Sequence, residues 1–350
     1  MSAPSTARQP SGRDRRRAPS TARRTGPVLI LLAGLVVVAA LCSIAFGARV
    51  VGLEEILHGL TGSGGDLGAA AVAERLPRTA AALAAGAALA VSGALMQAVT
   101  RNPIADPGIL GINTGSSLAI VASIAFLHIS STFEYLWISM LGAGVTAVFV
   151  YAVGSTGPGG ATPVKLALAG VATSAAMSSL ISAIMLPRAQ GLNDFRIWQV
   201  GSVGRGTWES LAAGVPFLVA AGVLAVVVAR PLNSLALGDE MATGLGVNVM
   251  RTRLLASAAG VIACATTTAL VGPIGFVGLM VPHAVRMLIG PDNRRLLVLS
   301  ALGGAALLTL ADVVGRVVAR PSGLSAGIVT AFVGAPVLIA IVRGAKAREL

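Results

Sequence analysis

The chain has 350 residues, of which 55% are hydrophobic and only 11% are charged, and its mean hydropathy is +0.83. An average soluble domain carries about 25% charged residues, so this composition excludes an ordinary soluble protein and indicates an integral membrane protein. The formal charge of +12 could suggest a nucleic-acid partner. The basic residues instead fall mainly at the ends of apolar runs, as in multi-span membrane proteins, so we expect no nucleic-acid partner.

The first segment of the chain, residues 1–26, is rich in Ser, Pro, Thr and Arg. Such a composition predicts a disordered tail on the cytoplasmic side, which sets the orientation of the first span. The apolar run at 27–46 could be a secretory signal, but its length and the lack of a good small-residue cleavage site favour an uncleaved helix. A more polar segment at 47–78 is predicted to lie outside.

Nine further apolar runs follow, so the sequence predicts ten membrane-spanning helices, several of them interrupted by Gly or Pro. The nine runs are 79–100, 108–127, 134–154, 164–186, 211–229, 252–271, 274–289, 295–315 and 324–343. The chain is predicted to cross a bacterial plasma membrane ten times, starting from the inner side. This topology places both termini in the cytoplasm. This topology puts 18 of the 26 Lys and Arg residues on the inner side, in agreement with the positive-inside rule.

A polar stretch at 231–253 separates two of these runs. Asp239 and Glu240 open a short segment in which carboxylates favour a helix N-terminus, and Gly244 and Gly246 close it. The stretch predicts a short helix at the cytoplasmic surface, within a loop at 230–251 that a soluble partner could contact. A plain interhelical loop is the alternative, because charged caps and glycines are common at turns.

Catalytic and metal chemistry find little support in the sequence. No Gly-x-x-x-x-Gly-Lys-Ser/Thr loop occurs, so the chain has no P-loop for ATP. His58, His128 and His283 lack the His-Glu-x-x-His spacing of a zinc enzyme. Cys42 and Cys264 both lie inside apolar runs, which is typical of small core residues. We therefore expect no catalytic residue, no bound metal and no cofactor in this chain.

Charged residues inside the predicted spans are sparse. Asp312 and Arg286 come nearest to span interiors, and each can be placed close to an interface. Ion-coupled secondary transporters usually need buried carboxylates, so their scarcity counts against that class.

Several long motifs occur in a fixed order along residues 30–345. They are Arg75-Leu-Pro-Arg78 through Gly93-Ala-Leu-Met-Gln97, Arg101-Asn-Pro-Ile-Ala-Asp-Pro-Gly-Ile-Leu-Gly111, Leu235-Ala-Leu-Gly-Asp-Glu-Met-Ala-Thr-Gly-Leu-Gly246, Gly272-Pro-Ile-Gly-Phe-Val-Gly-Leu-Met-Val-Pro-His283 with Arg286, and Gly327-Ile-Val-Thr-Ala331 with Gly334-Ala-Pro336. This series resembles the FecCD family, the permeases of ABC importers for iron-siderophores, haem and cobalamin.

The resemblance implies an all-α integral membrane protein with the type II ABC importer permease fold over residues 27–345. It implies a permease that carries a ferric siderophore or similar metal chelate into the cytoplasm, with no enzymatic activity of its own. Its expected partners are a second permease copy or a paralogue, two cytoplasmic ATPase subunits that bind ATP, and a substrate-binding protein, free in a periplasm or lipid-anchored.

The resemblance also assigns three groups of residues by position. They are Leu237, Asp239, Glu240, Ala242 and Gly246 for contact with the ATPase; Arg75, Arg78 and Arg316 for docking of the binding protein; and Asn102, Ile104, Thr162 and Pro163 for a cytoplasmic gate. Arginine suits docking because its planar guanidinium binds a carboxylate through two parallel hydrogen bonds.

Other interpretations of the same residues stay open. The arginines could be interfacial side chains whose stems cover apolar surface, and Asn-Pro and Thr-Pro are common in turns. Gly323 and Ser325 stand where the family commonly has an acidic residue and a proline, and Pro163 departs from its small polar pair. For the whole chain, an ion-coupled secondary transporter of a small molecule and a membrane scaffold protein are the alternatives.

Overall fold

The computed structural model describes residues 21–61, 67–103, 105–127, 129, 131–157, 163–187 and 198–346. Most of the predicted tail at 1–26 therefore lies outside the described residues. Within the described ranges the chain is all-α and contains no strand.

Twelve α-helices have both ends in these ranges. They are α1 (Thr21–Ala45), α2 (Leu53–Thr61), α3 (Leu67–Thr100), α4 (Ile112–Phe126), α5 (Thr132–Gly154), α6 (Pro163–Met185), α7 (Trp208–Leu235), α8 (Asp239–Gly244), α9 (Val249–Val271), α10 (Val277–Ile289), α11 (Asn293–Val318) and α12 (Ala326–Lys346). Two short 3-10 helices, Pro107–Leu110 and Val203–Arg205, lie in the connections before α4 and α7.

Each of the ten predicted spans corresponds to a helix, which confirms the all-α membrane fold. Among the described residues, seven helices are long and apolar enough to cross a membrane. The apolar parts of α4, α10 and α12 are shorter, at 10–17 residues each. Helix α3 begins at Leu67, before the predicted start of the second span at 79, and continues through Pro77, so the helix extends into the segment that is predicted to lie outside.

Helix α3 lies at the centre of the bundle and packs against α1, α9, α10 and α11. Its buried face consists largely of Ala and Gly, which allow neighbouring helices to approach closely. The closest approach is at Gly93, where an added Cβ would lie 1.9 Å from the carbonyl oxygen of Gly278 in α10. A Cβ added at Gly86 would likewise lie 2.2 Å from the carbonyl oxygen of Gly304 in α11.

The two ends of α3 carry the residues that the motifs single out. Arg75 and Arg78 lie near its N-terminus, beside the C-termini of α1 and α11, and we call this end of the molecule the arginine end. Arg101 follows its C-terminus and contacts α8, and we call this end the connector end. From Arg78 to Arg101 a helix rises roughly 35 Å at 1.5 Å per residue, slightly more than a bilayer's hydrocarbon core.

Candidate functional site

A cavity of about 610 Å³ opens at the arginine end of the molecule. We call it the arginine cavity, because all three predicted docking residues, Arg75, Arg78 and Arg316, line it. Arg49 lines it as well, and Glu74 contributes an exposed carboxylate. The sequence prediction therefore named three residues that the fold brings to one surface, although Arg316 lies more than 230 positions after Arg75 and Arg78 in the chain.

The guanidinium of Arg75 binds carbonyl oxygens within the protein. Its Nη1 donates to the carbonyl oxygens of Ile44 at 2.8 Å and Ala45 at 3.0 Å, and its Nη2 donates to that of Arg49 at 2.7 Å. The last carbonyls of a helix have no partner within the helix and carry partial negative charge, so a cation stabilises them. Arg75, which is 6% exposed, thus caps the C-terminus of α1.

Asp312 lies between the other two arginines. Arg78 donates to it through Nε at 2.9 Å and Nη2 at 2.7 Å, in a two-point contact, and Arg316 forms an ion pair with it at 3.0 Å. The Asp312 side chain is 1% exposed and that of Arg316 is 6% exposed, whereas that of Arg78 is 25% exposed. Arg78 therefore presents the most accessible guanidinium of the predicted trio.

A short chain of hydroxyl groups continues this network into α1. Arg316 donates to the Ser43 hydroxyl at 2.8 Å and to the Ser43 carbonyl at 3.1 Å. The Ser43 hydroxyl bonds the Thr79 hydroxyl at 2.7 Å, and Thr79 in turn donates to the carbonyl of Arg75 at 2.7 Å. Polar contacts of this kind join membrane helices, so α1, α3 and α11 are tied together at this end.

Sequence reasoning missed the role of Asp312. The sequence predicted only that Asp312 can be placed close to a membrane interface, and the structure adds that its side chain is completely buried in the described part of the chain. Its i,i+4 spacing to Arg316 is a local sign of an ion pair. The contact with Arg78 has no such sign, since the two residues are 234 positions apart.

At the connector end, the predicted short helix is confirmed as α8. Gly238 (φ 112°) precedes it and Gly246 (φ 78°) follows it, and both conformations are costly for residues with a Cβ. Ala242 is buried against the bundle. The residues Leu237, Glu240, Met241 and Leu245 are exposed. This apolar surface with one carboxylate is available to a partner.

Asp239 turns back toward the bundle, unlike its neighbour Glu240. Its Oδ1 accepts from Arg101, which follows α3, and from Arg253 near the N-terminus of α9 at 2.9 Å. These side chains are partly exposed, with fractions between 34% and 46%. Of the predicted ATPase-contact residues, Asp239 and Ala242 thus contact this chain, while Leu237 and Glu240 face outward.

The predicted gate is represented in the structure mainly by Asn102. Its backbone N–H donates to the carbonyl of Gln97 at 3.2 Å, and its own carbonyl accepts from Ala105 at 3.1 Å. Ile104 and Thr162 lie outside the described residues. Pro163 begins α6, but its side chain is not described either. The gate therefore stays a prediction.

No group of three or more His, Cys, Asp or Glu side chains in the described part of the chain could hold a metal ion. Cys264 is buried and Cys42 is half-buried, and neither forms a disulfide.

Comparisons with known proteins identify the family. The model of the FecCD transport family matches residues 3–344. The chain belongs to the FecCD transport family. It is 42% identical over 318 residues to the ferric enterobactin transport system permease protein FepD of Escherichia coli K12, covering 91% of this chain and 94% of that protein. It is 37% identical over 321 residues to a siderophore transport system permease protein, YfiZ, of Bacillus subtilis 168, covering 91% and 96%.

Solved structures agree with this assignment. An inward-facing metal-chelate type ABC transporter matches 91% of this chain and 99% of its own chain, with a TM-score of 0.77 and 29% identity. PsaBC from Streptococcus pneumoniae matches 80% of this chain and 93% of its own, with a TM-score of 0.59; at 16% identity it shows the fold alone. The FecCD chain is thus a multi-pass membrane permease with the fold of ABC transporter permeases.

Proposed function

We propose that this FecCD permease is the membrane subunit of an importer that carries a ferric siderophore or a similar metal chelate into the cytoplasm. The observation that carries the proposal is the family match over nearly the whole chain, together with relatives for ferric enterobactin, Fe³⁺-citrate and iron-hydroxamate. The permease pairs with a second copy or a paralogue. It binds no cofactor, and ATP is hydrolysed by separate subunits.

The connector end faces the cytoplasm and the ATPase in this proposal, and both chain termini lie on that side. The excess of basic residues on the predicted inner side supports the orientation. The exposed Leu237, Met241 and Leu245 around α8 offer an apolar surface larger than a single exposed side chain. Glu240 adds a charge that helps to orient the partner.

The arginine end then faces outward and receives the substrate-binding protein. The cavity is lined by four arginines and one exposed carboxylate, so it favours acidic groups on the partner. Arg78 is best placed to make the contact. Asp312 occupies its Nε and Nη2, and its Nη1 has no partner among the described residues. Docking by Arg75 and Arg316 stays a prediction, because both already bind α1.

Replacing Arg78 by glutamine is expected to weaken docking of the binding protein by roughly tenfold or more, because a carboxylate of the binding protein loses the positive charge that it pairs with. Asp312 keeps Arg316 as its partner, so the variant should still fold. The measurement is binding of the cognate binding protein to the permease in nanodiscs, at low and high salt.

Arg205→Gln is the matched control, because Arg205 is an exposed arginine at the same end that does not line the cavity. It should bind like the wild type. Wild-type affinity in Arg78→Gln, with an unchanged thermal unfolding curve, would remove Arg78 from the docking surface.

The import function itself is tested in proteoliposomes that contain the permease, its ATPase and its binding protein. Radio-iron complexes of enterobactin, citrate and a hydroxamate serve as probes. We expect uptake of at least one complex that requires all three components and ATP. Uptake that continues without ATP and follows an imposed proton gradient would contradict the proposal and favour an ion-coupled secondary transporter.

A further inference from the structure

The contact between Asp239 and Arg101 joins the short helix α8 to the chain segment that follows α3. Asp239 is the first residue of α8, the helix proposed to meet the ATPase. Arg101 directly precedes Asn102, the predicted gate residue that the structure describes. One carboxylate oxygen therefore connects the helix proposed to meet the ATPase with the segment that leaves α3.

The backbone at Arg101 supports a specific role for this contact. Its φ is 51°, a left-handed conformation that is uncommon for residues other than Gly, Asn and Asp. Such positions persist only where the surroundings hold them, and they occur often at functional sites. Here the conformation turns the chain at the end of α3, and the side chain of Arg101 reaches α8.

The same contact contributes little to folding. All three side chains of the cluster are at least one-third exposed, and exposed ion pairs contribute little to stability because water and salt screen them. A docked ATPase would exclude water from this surface, which strengthens the attraction between the charges. The ion pair between Asp239 and Arg101 is therefore suited to transmit movement of α8 when an ATPase is bound.

We propose that Asp239 is a positioning residue that transmits movement of α8 to the gate segment at 101–103 through Arg101. When the ATPase pair closes and displaces α8, the ion pair pulls on the end of α3 and on Asn102. Arg253 binds the same oxygen at 2.9 Å and keeps Asp239 aligned with α9. This proposal rests on the proposed function, because it needs an ATPase that pushes on α8.

The test compares Arg101→Gln, Asp239→Asn and the double variant in the proteoliposome assay, with uptake and ATP hydrolysis measured together. We expect each single variant to keep its ATPase through purification and to lower the iron complex imported per ATP by roughly fivefold or more, the scale of a coupling between two sites. The double variant should be no worse than Asp239→Asn alone, because residues acting through one contact are not additive.

Arg294→Gln is the control, since Arg294 is an exposed arginine at the same end and forms no ion pair among the described residues. It should transport like the wild type. Full coupling in Arg101→Gln, or additive losses in the double variant, would overturn the proposal. Uptake by the wild type tests the import function. The iron complex imported per ATP by each variant, relative to the wild type, tests the contact between Asp239 and Arg101, so the two proposals can fail separately.

Discussion

Replacing Gly93 by alanine is expected to lower the free energy of unfolding in detergent micelles by roughly 3 kcal/mol, the upper range for adding a group to a packed core. The added Cβ would lie 1.9 Å from the carbonyl oxygen of Gly278 and 2.4 Å from its carbonyl carbon. These are backbone atoms of α10, so no rotation of a side chain relieves the overlap. Helices α3 and α10 must move apart, which weakens the other contacts between these two helices.

Gly222→Ala in α7 is the matched control, because nothing lies within 4 Å of the Cβ that it would add. Alanine has the higher helix propensity, so this control should be as stable as the wild type or slightly more stable. Equal stability of Gly93→Ala and Gly222→Ala would show that α3 and α10 do not pack as closely as described. Denaturant unfolding followed by tryptophan fluorescence distinguishes these results.

The helices of this permease could be predicted from hydropathy because long apolar runs have few alternatives in a bilayer. The start of α3 could not be predicted in this way. Arg75, Pro77 and Arg78 are typical of the edge of a span, yet the helix continues through them from Leu67. Arg75 is held by carbonyl oxygens of α1, and Arg78 by Asp312 of α11. Those partners depend on the tertiary fold, which a local pattern does not contain.

The short helix α8 was predictable for the opposite reason. Its signals are local, namely two carboxylates at its start and glycines at its end, and the structure places Asp239 and Gly244 at its two termini. The ion pair from Asp239 to Arg101 spans 138 positions and has no local signal. The sequence therefore predicted this helix but could not show which of its residues contact the bundle and which are exposed.

The three arginines predicted for docking show the same division. Their positions came from motifs, and all three line one cavity. Their burial and hydrogen bonds came from the fold, which commits Arg75 and Arg316 to α1 and leaves Arg78 more accessible. The motifs thus named three arginines that line one cavity, while their contacts distinguish Arg78, which is the most accessible, from Arg75 and Arg316, which join helices.

Replacing Asp312 by asparagine is expected to lower the free energy of unfolding by about 3–5 kcal/mol, the cost of breaking a buried ion pair by removing one partner. Arg316 would keep its bonds to Ser43 but lose its counter-charge, at a side chain that is 6% exposed. Arg78 loses less, because it already reaches the cavity. Unfolding in detergent micelles measures the effect.

Two further variants separate charge burial from other causes. Glu74→Gln removes an exposed carboxylate from the same cavity and should change stability by less than about 0.5 kcal/mol. The double variant Asp312→Asn with Arg316→Gln removes the buried pair together and should recover roughly 2 kcal/mol relative to the sum of the single losses. If Asp312→Asn unfolds like the wild type but loses docking, the carboxylate aims Arg78 at the partner and does not hold the three helices together.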